Sequence, residues 1–261
     1  MNNNIPVVIL CGGAGTRLKE ETEFKPKPMV LIGEKPILWH IMKIYAHHGF
    51  NRFIIALGYK GEMIKDYFLN QDYFMHDFNL NTATGKTRIF RSKKINSDNF
   101  QITFIDTGIE TLTGERVMRV KEYIKEDQFM VTYGDGVGNI NIRKLYTYHN
   151  RMKLTGTITG VHPTIRWGLI RSNRDNLITS FQQKPIYNQY VNGGFMIFNR
   201  KFFDYLDEKE WLEDTLAKLV KKRELALYVH DDFWFAMDTY REVNMLNTMW
   251  ENKPAWKVWK G

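Results

Sequence analysis

The stretch "VVILCGGAGTRLKEE", Val7 to Glu21, decides how the rest of the chain is read. Its opening residues are apolar throughout, the pattern of a strand buried on both faces. Three glycines follow within four positions, Gly12, Gly13 and Gly15, around Ala14. A loop of that composition lets backbone N–H groups approach phosphate closely. Two familiar phosphate loops do not match it. A Walker A loop carries a Lys followed by Ser or Thr after its glycines, whereas Gly15 is followed by Thr16 and Arg17. A dinucleotide fingerprint counted from Gly13 and Gly15 places its third glycine at Leu18, with Glu34 near the position of the acidic partner. Pro26 and Pro28 intervene, however, and would break the crossover helix. The loop is therefore expected to hold phosphate by another plan.

Outward from this loop, short apolar runs alternate with helical patterns. "VVIL" (7–10), "FIIAL" (53–57), "ITFID" (102–106) and "FMVTY" (129–133) read as buried parallel strands. Pro36 to His48 reads as a helix with Pro at its start, and 61–69 and 114–125 read as helices too. This βαβ alternation predicts an α/β fold with a doubly wound, mostly parallel sheet and its ligands at the carboxyl ends of the strands. From Thr155 the texture turns to short, turn-punctuated strands, which predicts an inserted β-rich part for a second substrate. Helices are expected again at 202–206 and 215–222, with a last one from Asp238-Thr239 to Trp250. The expectation is one domain over 1–261: a nucleotide-binding half over 1–154, an acceptor-binding part over 155–240, and a C-terminal helix and tail.

Composition narrows the function classes. A net charge of +8 admits anionic partners of any kind without choosing among them. The compact basic clusters, "RSKK" (Arg91–Lys94) and "KKR" (Lys221–Arg223), read as solvated faces, and no aromatic RNA-binding pattern or zinc spacing accompanies them, so no nucleic-acid partner is expected. Apolar runs reach only four or five residues against the ~20 that span a bilayer. The one cysteine, Cys11, rules out an internal disulfide and reads as a small strand-end hydrophobe. With no leader-like start, a cytoplasmic location is expected.

Several constellations carry chemistry. "KPKPM" (25–29) reads as a proline-stiffened arm, with Lys25 and Lys27 pointing the same way. Glycine-loop donors together with Arg17 and a rigid Lys amount to a triphosphate clamp. In "YGDGV" (133–137), Asp135 lies between two glycines at a strand end, suited to Mg²⁺ or to a tight turn. In "FWFAMDT", Asp238 is a second carboxylate candidate and equally a plain helix cap. "QQKP" (182–185) and "NGGF" (192–195) make Lys184 and Asn192 candidates to hold a phosphorylated, hydroxyl-rich substrate, and each equally reads as a turn. His47-His48 reads as a helix-end feature, and "PAWKVWK" as a packed terminus or subunit contact.

With these residues in view, the chain resembles the sugar-1-phosphate nucleotidyltransferases, and among them the cytidylyltransferase branch. The resemblance runs end to end through "GGAGTRL", "KPKPM", "GEKPILWHIMKIY", "GYKG", "TYGDGV", "NGGF", "FW..MDT" and "PAWKVW". It implies a Rossmann-like sheet with an inserted sugar-binding part, and transfer of a nucleotidyl group from CTP to a sugar 1-phosphate. By the same resemblance, Leu10, Gly12, Gly13, Ala14, Gly15 and Thr16 would receive the nucleoside, with Arg17 on the triphosphate and Lys27 near the reacting centre. Thr111 and Arg116, in "TLTGER", match a segment that contacts CTP where subunits associate, which implies a homo-oligomer. Gly134 would lie at the nucleotide, Asp135 and Asp238 would hold Mg²⁺, Lys184 would hold the sugar phosphate, and Asn192 and Gly193 the sugar. The chain departs from the pattern at Gln183, where the family usually has Glu, and at Glu115, where it favours Gly. The first leaves the acceptor open, since a charge-assisted bond to sugar hydroxyls is lost. A different phosphorylated acceptor, a non-catalytic nucleotide-binding protein and a Rossmann oxidoreductase are the alternatives; Leu18 and the two prolines disfavour the last.

Overall fold

The structure, a computed structural model, describes residues 4–90, 98–164, 167–183, 186 and 189–259. Seven strands make the central sheet: β1 (Val7–Cys11), β2 (Arg52–Leu57), β3 (Gln101–Asp106), β4 (Gln128–Tyr133), β5 (Gly156–Val161), β6 (Val191–Asn199) and β7 (Leu225–His230). Their order is β7-β5-β6-β4-β1-β2-β3. All run parallel except β6, which pairs antiparallel with both β4 and β5. The chain thus winds outward from β1 through β2 to β3, then returns to β4 on the other side of β1. That reversal opens a crevice beyond the carboxyl ends of β1 and β4.

The unbroken apolar runs of β1, β2 and β4 follow from burial on both faces, whereas β3, expected to be buried, lies at the sheet edge and is only part-buried. Successive strand side chains point to opposite sides. Val7, Ile9 and Cys11 enter one core layer with Phe53, Ile55 and Leu57, under the helix Ile37–His47 and the final helix Tyr240–Asn252. Val8 and Leu10 enter the other with Ile54 and Ala56, under the helices Thr113–Arg119 and Leu212–Lys221. Each such large side chain contributes roughly 1.5–3 kcal/mol when fully buried. Among the described residues no helix is long and apolar enough to cross a membrane.

The stretch read as an inserted β-rich part divides in the structure. β5, β6 and β7 extend the central sheet itself. Two antiparallel pairs stand apart from it: Gly168–Ser172 with Ile178–Gln183, whose Leu169, Ile170, Ile178 and Phe181 are exposed, and Trp234–Ala236 with Gly136–Gly138. The difference arises because strand pairing joins segments far apart in sequence, which local patterning does not report. The cluster "RSKK" lies outside the described residues, while Lys221–Arg223 ends the helix Leu212–Lys221.

The tryptophan-rich tail packs inward. Trp256 is fully buried, and the rings of Trp39, Trp250 and Trp256 surround His40 at centroid distances of 5.1, 4.6 and 6.1 Å. His40 Nε2 lies 2.9 Å from the Ile32 carbonyl and Trp256 Nε1 donates to Nδ1, so the imidazole is neutral. Burial pushes its pKa down from 6.5 to about 4. Between those values the unfolded chain binds the proton and the folded one does not, so His40 is expected to cost stability as pH falls from 6.5 toward 4. The displacement is worth ~3 kcal/mol. Urea unfolding at pH 7 and pH 4.5 checks this: His40→Gln should flatten the pH dependence, and an equal slope in variant and wild type refutes the assignment.

Candidate active site

The glycine loop leaves β1 at the crevice. Gly15 adopts a left-handed backbone (φ 62°), and a Cβ there would sit 2.7 Å from Thr22 Cγ2. The Leu18 N–H then donates to the Gly15 carbonyl (2.9 Å), closing a short 3-10 turn over Thr16–Leu18. Leu18 is fully buried in the core. This residue, standing where a dinucleotide loop has its third glycine, therefore anchors the end of the loop by apolar packing. Ala14, Thr16 and Arg17 are exposed, and Gly12 is buried at the base of the loop.

A cavity of about 420 Å³ opens here. Of the residues expected for nucleotide, Leu10, Gly12, Gly13, Gly15, Thr111, Arg116 and Gly134 line it, beside Arg17, Lys27 and Asp135. Gly134 is required by close approach: a Cβ there would lie 2.9 Å from Pro28 Cγ and 3.0 Å from the Leu10 carbonyl.

Lys27 is the centre of the charge arrangement. Its Nζ donates to Asp135 Oδ2 at 2.6 Å and to Asp238 Oδ1 at 2.8 Å, joining residues 108 and 211 positions away. Arg17 Nη1 donates to the other oxygen of Asp238 at 3.0 Å. Burial alone pushes the Lys27 ammonium down, but the two carboxylates outweigh it and the net direction is up. The side chain is therefore a cation throughout the physiological range. The arm differs from the expected one: Lys27–Met29 is a 3-10 turn entered from extended Pro26, and Lys25 pairs with Glu21 (2.9 Å) instead of sharing Lys27's target. Local hydrogen bonding explains the turn, since Met29 N–H donates to the Pro26 carbonyl and Val30 N–H to that of Lys27.

Asp238 is not the cap of the last helix. Thr239 is, through a capping box in which its side chain accepts from Glu242 N–H and Glu242 Oε2 accepts from Thr239 N–H. Glu242 Oε2 also accepts from Asp238 N–H at 2.7 Å, and Met237 N–H donates to the Asp135 carbonyl at 2.9 Å. The carboxylate of Asp238 is thereby released toward Lys27. The two carboxylates fit a hard divalent cation: both present oxygens to one point at the crevice, and no third His, Cys, Asp or Glu joins them among the described residues. Such a pair matches the coordination in which substrate phosphate oxygens and water complete the shell.

Arg116 lines the cavity from a buried position. It is 3% exposed, and its guanidinium donates to backbone carbonyls of the loops around it. Thr111, expected at the nucleotide with it, lines the cavity and donates to the Thr107 carbonyl. Glu115 turns away, pairing with Arg119 at 2.7 Å and accepting from Lys209 N–H.

Among the described residues, Gln183, Asn192 and Gly193 do not line this cavity. Gln183 is exposed at the end of the outlying hairpin, and Lys184 lies outside the described residues. Asn192 and Gly193 open β6, where Asn192 Oδ1 accepts from Gly194 N–H and the Gly193 carbonyl accepts from Trp234 Nε1 (2.8 Å). Sequence reasoning gave no role to Tyr133 and Trp211, which also line the cavity. Tyr133 Oη donates to Glu213 Oε1, tying the end of β4 to the helix Leu212–Lys221. Burial and the Glu213 carboxylate push its phenol pKa up. Tyr133 lies in "YGDGV", read there for its Asp and glycines alone, while "EWLEDT" (210–215) carries no motif that would have found Trp211.

A glycine loop, a lysine clamped by two carboxylates and a crevice at a topological switch point define an α/β enzyme site built for nucleotide phosphates. The chain belongs to the nucleotidyl transferase family, which its residues 6–256 match. It is 43% identical to a probable glucose-1-phosphate cytidylyltransferase of Bacillus subtilis (strain 168), over 97% of this chain and 99% of the relative. It is 41% identical to the glucose-1-phosphate cytidylyltransferase of Salmonella typhimurium, over the same shares of each. The fold is shared with the crystal structure of HddC from Yersinia pseudotuberculosis at a TM-score of 0.69 and 24% identity, covering 94% of this chain and 99% of that one.

Proposed function

We propose that the chain transfers a cytidylyl group from CTP to α-D-glucose 1-phosphate, releasing pyrophosphate and a CDP-sugar. The observation that carries this reading is Lys27 held between Asp135 and Asp238 at the mouth of the glycine loop. A phosphate oxygen of the sugar phosphate attacks the α-phosphorus of CTP, and the bond to the β-phosphate oxygen breaks in line. The attacking oxygen is already anionic, so no general base is required. The rate then depends on positioning and on cations placed where charge develops. Lys27 reaches the reacting phosphate, and exposed Arg17 takes the outer phosphates when it leaves Asp238. Asp135 and Asp238 would hold Mg²⁺, which supplies charge neutralisation on the triphosphate when bound. Leu10 to Thr16, Thr111 and Gly134 contact the nucleotide. Lys184, Gln183, Asn192 and Gly193 hold the sugar phosphate, which requires the outlying hairpin and the start of β6 to face the same acceptor. The exposed apolar residues of that hairpin, with Trp167 and Ile186 beside it, support association of several copies through this face.

Pyrophosphate release measured with all four nucleoside triphosphates against a panel of sugar 1-phosphates tests the reading. CTP with glucose 1-phosphate is expected to be the fastest pair. A second reading, the same transfer to another phosphorylated acceptor, rests on Gln183 in place of the family's Glu, and a faster acceptor in that panel would establish it. CTP binding with no acceptor turned over would instead make the chain a nucleotide-binding protein.

A further inference from the structure

We propose that a second cavity, formed by the helix Ile142–Met152, the end of the helix Ile37–His47 and β7, binds a small oligophosphate anion away from the active site. It measures about 460 Å³ and shares no lining residue with the cavity at the glycine loop. Three cations, Arg143, Lys144 and Arg151, line it, and no carboxylate does. One helix collects them by spacing alone. Residues four apart lie one above the other on a helix, so Arg143 and Arg151 share a row, with Lys144 and Tyr148 in the row beside it. None of the three is in an ion pair among the described residues. By contrast, Lys27, Lys43, Arg52 and Lys218 each meet a carboxylate. Like charges gathered in a concavity focus its potential and concentrate anions there.

The groups are partly fixed in advance. Arg143 Nε donates to the His48 carbonyl at 2.8 Å, which holds the guanidinium while its two terminal nitrogens have no partner among the described residues. Arg151 lies over the Tyr148 ring at 5.1 Å, and Tyr148 packs edge-on against Tyr228 at 5.5 Å, giving the cavity an aromatic wall. His48 also lines it, and its buried Nε2 has no hydrogen-bond partner among the described residues. A buried ring nitrogen is costly to leave unpaired. The volume falls in the range of small-molecule sites. Three unpaired cations suit an anion of more than one phosphate, and a single concavity on one helix is too small for the extended charge of a membrane or a nucleic acid.

Pyrophosphate binding without divalent cation is measured by calorimetry on the wild type, on Lys27→Ala, and on each of them carrying Lys144→Glu and Arg151→Glu. Lys144 and Arg151 are exposed, and neither side chain donates a hydrogen bond among the described residues, so the reversals are expected to leave the fold and the basal rate of pyrophosphate release unchanged. Lys27→Ala removes the central cation of the first cavity, so that the binding it retains reports on the second. Lys27→Ala is expected to bind one pyrophosphate, and the two charge reversals to weaken that binding about a hundredfold, two charge-assisted contacts being lost. In the wild type the same reversals should remove one bound pyrophosphate and leave the other. No pyrophosphate bound by Lys27→Ala would overturn the proposal, as would binding there that the reversals leave unchanged. Inorganic phosphate bound to Lys27→Ala as tightly as pyrophosphate would make the cavity a general anion patch, and would overturn it too. None of these outcomes depends on which nucleotide the first cavity takes.

Discussion

Lys27→Ala is expected to lower kcat for pyrophosphate release by about a hundredfold to a thousandfold, the cost of removing one preorganised donor from a developing anion. The side chain is only 11% exposed and touches both carboxylates, so a neighbouring surface lysine cannot take its place. Removing it also leaves Asp135 and Asp238 facing each other with one fewer cation. Both reach solvent, at 31% and 19% exposure, so the resulting repulsion is screened and the fold is expected to survive. Comparison of thermal unfolding and far-UV circular dichroism with the wild type separates lost catalysis from lost structure. Because Lys27 stays charged well above neutrality, it should add no step to the pH–rate profile between pH 6 and 9. Turnover at the wild-type rate in this variant would remove the mechanism.

Asp135→Asn is expected to cause a loss of similar size by a different route. The amide is nearly isosteric and its oxygen still accepts from Lys27, so the local geometry is retained while one negative charge disappears. A site of two carboxylates that becomes one should need much more divalent cation for half-maximal rate. A Mg²⁺ titration of the initial rate reads this directly. An unchanged Mg²⁺ requirement would show that Asp135 holds Lys27 and nothing more. The same titration on Asp238→Asn adds a contrast, because that change also releases Arg17 from its 3.0 Å contact.

Much of this was legible before any coordinates. Strands buried on both faces must be apolar at every position, so the runs at 7–10, 53–57 and 129–133 announced helices on both sides of a parallel sheet. Glycines that permit a left-handed turn or a close backbone approach mark Gly15 and Gly134 by residue type alone. Asp238 illustrates the limit. Before a helix it reads as a cap, and only the Thr239–Glu242 capping box, which takes over that task, shows that its carboxylate is directed elsewhere.

Local pattern and residue chemistry therefore determined the class of fold, the edge of the sheet where the cavity opens, and the glycine loop that lines it, because each depends on neighbours within a few positions. The tertiary structure alone decided that Lys27 meets Asp135 and Asp238, that β5, β6 and β7 complete the central sheet with β6 reversed, and that Arg116 turns inward to Gly12, Leu57 and Gly108. Those contacts join residues tens to hundreds of positions apart, and they are selected by the packing of strand ends against one another, a quantity with no periodicity along the chain.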